Sequence, residues 1–139
     1  MKNVFILAIV TLFSATVVSC KDNDDYQQIT DVYSQKIDSV HIPMDTMSLG
    51  VTQEILAYST FARGCEGLYS YDYIYGDNLT RSVVNYGFKT NDACLEGTFS
   101  NYSRVNFKPV ETGIYTFKFW TGKDASGTNT YLEKKVVVE

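Results

Sequence analysis

The sequence predicts an all-β fold, an antiparallel β-sandwich or barrel of about seven to eight short strands in one domain. Three observations carry this. From Ile37 onward, runs rich in Val, Ile, Thr, Tyr and Phe alternate with turn residues. Aromatic residues make up 14% of the chain and charged residues only 20%, while hydrophobic residues reach 45%. That balance suits a β-rich exported module better than a charged helical protein. No long helical pattern competes with the strand-like runs.

Taken in order, the 139 residues begin with a leader. Lys2 gives a short positive region, and Val4 to Val18 is an apolar run of 15 residues, short of the roughly 20 that span a bilayer. A polar stretch starts directly after Cys20, so residues 1–19 are expected to be a signal peptide rather than a membrane-spanning or buried helix. Val17-Val18-Ser19-Cys20 resembles a bacterial lipobox, with Val17 where that family usually has Leu. The resemblance implies cleavage before Cys20, a diacylglycerol on its thiol and an acyl chain, palmitate or similar, on its new amino group. Several acyl chains anchor stably where one is marginal.

Lys21-Asp22-Asn23-Asp24-Asp25 resembles the lysine and acidic cluster that follows the lipidated cysteine in surface lipoproteins of the Bacteroidota. It implies an outer-membrane lipoprotein displayed at the cell surface. The cluster lacks the glycine turn and distal glutamate of a calcium loop, so no metal site is read there. Residues 20–36 are expected to be the lipidated cysteine and a flexible tether. Tyr26, Ile29, Tyr33 and Ile37 fall at helical spacing, which makes a short amphipathic helix the alternative. About a dozen residues is marginal for such a helix without packing.

Residues 37–139 make up the domain. Ile37–Ile42 ends at Pro43, and Val51–Phe61 follows Leu49-Gly50. Leu68–Tyr75 closes at Gly76-Asp77-Asn78, and Arg81–Lys89 closes at Thr90-Asn91-Asp92. Gly97–Ser100 and Arg104–Phe107 are short. Ile114–Thr121 and Tyr131–Val138 flank a polar hairpin loop, Gly122–Gly127. Asp38-Ser39-Val40 and Asp45-Thr46-Met47 resemble the Asp-Ser/Thr-apolar sequon of Bacteroidota O-glycosylation, which would make Ser39 and Thr46 acceptors.

Glu111-Thr112-Gly113-Ile114-Tyr115 resembles the tyrosine corner of immunoglobulin-like domains, with Glu111 where Asp is usual. The resemblance implies an immunoglobulin-like sandwich in which the Tyr115 hydroxyl bonds back to the turn. Alternation then puts Tyr115, Phe117 and Phe119 on the core face, and Trp120 on the other. Cys65 and Cys94 are an even pair in an exported chain and are expected to form a disulfide, with two free thiols as the alternative.

The formal charge is −4, and −5 once Lys2 leaves with the leader. That acidity disfavours binding to nucleic acid or to anionic headgroups. His41 is the sole histidine, and there is no nucleophile elbow to build a triad on. Glu54, Glu66, Asp72 and Glu96 are carboxylates without a pairing pattern. No catalytic residue, cofactor or metal site is therefore expected. The functional lead is aromatic. Tyr69, Tyr71, Tyr73 and Tyr75 alternate without a break, and with Trp120 they could form a surface for stacking on glycan or protein. The same row could instead line the core or stabilise its own sheet. The expected function is a non-enzymatic, lipid-anchored binding module. The alternatives are a structural or assembly lipoprotein with no small ligand, or a protease inhibitor presenting a loop near Cys65 and Cys94.

Overall fold

A computed structural model describes residues 27–139. The leader, Cys20 and the Lys21–Asp25 cluster lie outside the described residues. Nine strands and no helix make up the described part: β1 (Ile29–Gln35), β2 (Ser39–His41), β3 (Thr46–Met47), β4 (Gln53–Arg63), β5 (Glu66–Tyr75), β6 (Thr80–Thr90), β7 (Glu96–Phe107), β8 (Gly113–Lys123) and β9 (Asn129–Val138). They form two sheets packed as a β-sandwich. The larger runs β1-β6-β8-β9-β3 with β5 also on β6, and the smaller runs β2-β4-β7.

Three differences from the sequence reading have physical reasons. First, Ile29–Gln35 is a strand rather than tether, paired antiparallel with β6. Ile29, Tyr33 and Ile37 are four residues apart, and an even spacing fits the period of a strand as well as that of a helix. Second, two pairings are parallel, β3 with β9 and β6 with β8. Third, the two short runs before and after Asn101-Tyr102-Ser103 are one strand, β7. The polar Ser103 is 2% exposed there because it hydrogen-bonds inside the sandwich.

Strand β6 is the hub. β5 pairs along one edge from Arg81 to Lys89. The opposite edge is shared end to end: β8 takes Thr80–Val83 and β1 takes Asn85–Thr90. The join is closed by the Ile37 amide donating to the Trp120 carbonyl at 2.9 Å. Alternation places Arg81, Val83, Asn85 and Gly87 on the inner face, all buried. Gly87 leaves room for two rings above it. A Cβ there would lie 3.0 Å from the Phe61 ring and 3.1 Å from the Tyr33 ring.

The core is aromatic and β-branched. Tyr115, Phe117 and Phe119 of β8 are fully buried, as alternation predicts. Phe107 meets Tyr115 and Phe117 edge-on, with centroids 4.9 and 5.0 Å away. Such pairs add about 0.5–1.5 kcal/mol to the burial of the rings. Ile55, Ala57, Val105, Val136 and Val138 fill the layer between the sheets.

A cluster of three polar residues, Asn85, Ser59 and Ser103, sits inside it. Asn85 is 0% exposed. Its Nδ2 donates to the Ala57 carbonyl at 3.2 Å and to Ser59 Oγ at 3.0 Å, and its Oδ1 accepts from Ser103 Oγ at 2.7 Å. One side chain on β6 thus satisfies both long strands of the opposing sheet. At one pole, Cys65 and Cys94 form a disulfide, with Cα atoms 4.8 Å apart, joining the β4–β5 turn to the β6–β7 loop.

We expect Asn85→Ala to lower the unfolding free energy by about 2–4 kcal/mol, since it strands two buried hydroxyls as well as losing its own bonds. Urea unfolding checks this, and a loss below about 0.5 kcal/mol, the size of an ordinary surface substitution, would contradict it. We expect the Cys65→Ser, Cys94→Ser double variant to lose about 3–4 kcal/mol in the same assay, from the closed loop between them.

Candidate functional site

The tyrosine row is real but not continuous. Tyr71, Tyr73 and Tyr75 pair with Asn85, Val83 and Arg81, which puts all three on the inner side of the large sheet. Tyr69 is left out. A bulge between Leu68 and Ser70 gives it no partner on β6, so it departs from the unbroken alternation read from sequence.

The inner side at β5 is not closed over. The small sheet has three strands, and its edge strand β7 leaves Tyr71 and Tyr75 of β5 exposed. Tyr75 is 73% exposed and Tyr71 37% exposed, while Tyr73 is half-buried against the core. The row is therefore neither core nor outer face. It runs along the open lip of the sandwich.

The hairpin that carries it is tightly set. The Gly76 amide donates to the Thr80 carbonyl at 2.9 Å and the Thr80 amide to the Asp77 carbonyl at 3.0 Å. Asn78 (φ 52°) and Leu79 (φ 59°) are both left-handed. Asn tolerates that conformation, whereas Leu does not readily. Leu79 is held there because its side chain packs on the core and its carbonyl accepts the Thr116 amide. The turn fixes Tyr75 opposite Arg81.

Arg81 is the residue that sequence reading passed over. It is 8% exposed, and its guanidinium carbon lies 4.5 Å from the Tyr75 ring centre and 5.2 Å from that of Tyr115. Both are cation–π distances. Nη1 donates to the Thr80 carbonyl at 2.8 Å, and the buried Nε has no partner. The ion pairs among the described residues are Lys36–Asp38, Arg104–Glu54 and Lys118–Glu133, and Arg81 is in none. Two aromatic faces thus hold a buried cation with no counter-charge. The available signal was alternation: Arg81 shares its face with Val83, Asn85 and Gly87, so a charge stands in core register.

Beside Arg81 is a cavity of about 60 Å³. Tyr73, Tyr75 and Tyr115 line it, with Asn106, Phe107, Lys108 and Val110 at the end of β7 and beyond. Tyr73 and Tyr75 meet edge-on at 5.2 Å. Burial pushes the Tyr73 phenol up to about 12, and the Arg81 guanidinium beside it acts the opposite way. The Tyr115 hydroxyl donates to the Glu111 carbonyl at 3.2 Å, the bond a tyrosine corner requires, and this locks one wall.

The remaining expected residues lie elsewhere. Trp120 is on the outer face of β8, where Nε1 donates to Asn129 Oδ1 at 3.1 Å, so it does not join the tyrosines. Ser39 and Thr46 are exposed, in β2 and β3. His41 is exposed at the end of β2. Asp72 accepts from the Tyr86 hydroxyl at 2.8 Å on the outer face. Among the described residues, no three His, Cys, Asp or Glu side chains gather as metal ligands would.

The Tyr73 environment has a consequence in alkali. The folded state keeps this proton above the phenol's ordinary value of 10.0, so the stabilisation is complete below pH 10 and is lost as pH rises towards 12. Tyr33, through burial, and Tyr86, through its bond to Asp72, are shifted the same way. We expect the urea midpoint to fall between pH 10 and 12 and Tyr73→Phe to make that fall shallower. An identical slope in wild type and variant would show that Tyr73 ionises as an exposed phenol.

Comparison with protein-family models, with curated proteins and with solved structures finds no match.

Proposed function

We propose that the chain is a lipid-anchored, non-enzymatic binding module of the outer membrane, displayed at the cell surface, that contacts a glycan or protein through aromatic side chains. The observation that carries this is the lip of the sandwich. Tyr71 and Tyr75 stand exposed on a sheet edge, and Tyr75 lines a cavity with a cation in its wall. Tyrosine combines flat apolar area with a hydroxyl that finds polar partners, which is what an adhesive surface needs. Anchoring through Cys20 rests on the lipobox resemblance, and surface display on the acidic cluster after it.

Within this reading the domain is immunoglobulin-like. The Tyr115–Glu111 bond and the β8–β9 hairpin support that assignment. The parallel β6–β8 pairing makes it an unusual variant, because β6 rather than β5 lies next to β8. A structural or assembly role draws on one further observation. Among the described residues β5 pairs only with β6, so its other edge carries unpaired backbone groups there that could add a strand from a partner.

Anchoring is tested by labelling cells that express wild type or Cys20→Ala with a palmitate analogue and treating them intact with protease. We expect the wild type to be labelled and shaved, and Cys20→Ala to be unlabelled. Label without shaving would place the domain in the periplasm and favour the assembly role. No label on the wild type would sink the anchor.

A further inference from the structure

We propose that the cavity at Arg81 is a subsite for a carboxylate, and that the group it takes is the acid of a uronic-acid sugar within an otherwise neutral saccharide. This rests on the reading of the tyrosine lip as a binding surface and names its ligand.

The case begins with charge. A guanidinium that is more than nine-tenths buried pays for its lost hydration unless something replaces it. Here Tyr75 and Tyr115 replace part of it through their faces, and the Thr80 carbonyl through one hydrogen bond. No carboxylate of the chain completes the set among the described residues. Nη1 donates to the Thr80 carbonyl and the guanidinium also to the Tyr73 hydroxyl, while the buried Nε has no partner. A buried guanidinium without a counter-charge suits a carboxylate, whose oxygens accept charge-assisted bonds. Lys108 adds a second positive charge at the rim.

Size and surroundings narrow the ligand. On a measure where one water needs about 10–15 Å³, a cavity of about 60 Å³ holds roughly five water-sized groups. That accommodates a carboxylate and the carbon bearing it, but not a whole sugar ring, which must lie outside. Tyr75 and Asn106, which line the cavity, are themselves exposed, and Tyr71 stands exposed further along the same face of β5. Aromatic and amide groups serve the apolar faces and hydroxyls of a sugar. The chain's net charge of −4 repels densely charged polyanions, so the acid must be isolated among neutral sugars.

The test is titration calorimetry on the full chain in detergent with four probes. These are a glucose oligosaccharide ending in glucuronic acid, its carboxyl-reduced all-glucose form, the same form with a 6-sulfate in place of the acid, and a glutamate-containing pentapeptide. We expect the glucuronate form to bind about tenfold or more tighter than the reduced form, the size of one charge-assisted contact. Arg81→Gln should erase that preference, and Tyr75→Ala should weaken both sugars. Because Arg81→Gln could disturb the core, Lys108→Gln on the exposed rim is the second variant, and it should narrow the preference with thermal unfolding unchanged. Equal binding of the acid and reduced sugars would overturn the carboxylate subsite and leave the aromatic surface standing. Equal binding of the sulfated form, or tighter binding of the peptide, would overturn the assigned ligand class. Binding of none would overturn this inference and the glycan form of the proposed function together.

Discussion

The register of β6 is the constraint on which the other features depend, and Asn85 is what fixes it against the opposite sheet. Hydrophobic contacts between two sheets are non-directional and would tolerate sliding. A buried amide does not, because shifting β6 by one residue would turn Asn85 outward and strand the hydroxyls of Ser59 and Ser103. With β6 fixed, Val83 reaches the core, Gly87 passes beneath two rings, and Arg81 falls at the edge of the aromatic cluster. The hairpin to β5 then delivers Tyr75 over Arg81, so the same register that packs the interior composes the lip.

The lip also shows how a small domain keeps a charge inside. Arg81 is not neutralised by a carboxylate, which would close the cavity and remove its donors. It is held by ring faces, which attract a cation without consuming its N–H groups. The Tyr115 wall is rigid because its hydroxyl is tied to Glu111, and the Leu79 turn is held by packing despite its backbone conformation. Preorganisation of this kind reduces what a ligand must lose on binding.

Much of this architecture was legible in the sequence. Period-two alternation placed Tyr115, Phe117 and Phe119 in the core and Trp120 outside it, and the turn residues marked six of the longer connections. Pairing partners were not legible, because alternation assigns a face and not a neighbour. The parallel β6–β8 contact therefore could not be read, nor could β1, whose spacing suits helix and strand alike. The tyrosine row was found for the right reason but broken by a bulge at Tyr69 that no residue type announces. Arg81 and Asn85 were readable in principle, as polar residues in core register on one strand. Their meaning needed the partners that only the fold supplies, Tyr75 and Tyr115 for one, Ser59 and Ser103 for the other.

The end-to-end sharing of the β6 edge gives the molecule two poles. The chain enters β1 beside the disulfide, where Gln28 and Asn91 exchange hydrogen bonds at 3.1 and 3.2 Å. The Arg81 cavity lies at the far end of β6, about 30 Å away at roughly 3.3 Å per residue. The strand edge of β6 thus spans the molecule from the disulfide pole to the lip. Pulling along that edge shears β1 against β6, loading their hydrogen bonds side by side instead of peeling them one at a time. The Cys65–Cys94 bridge clasps the pole where β1 begins.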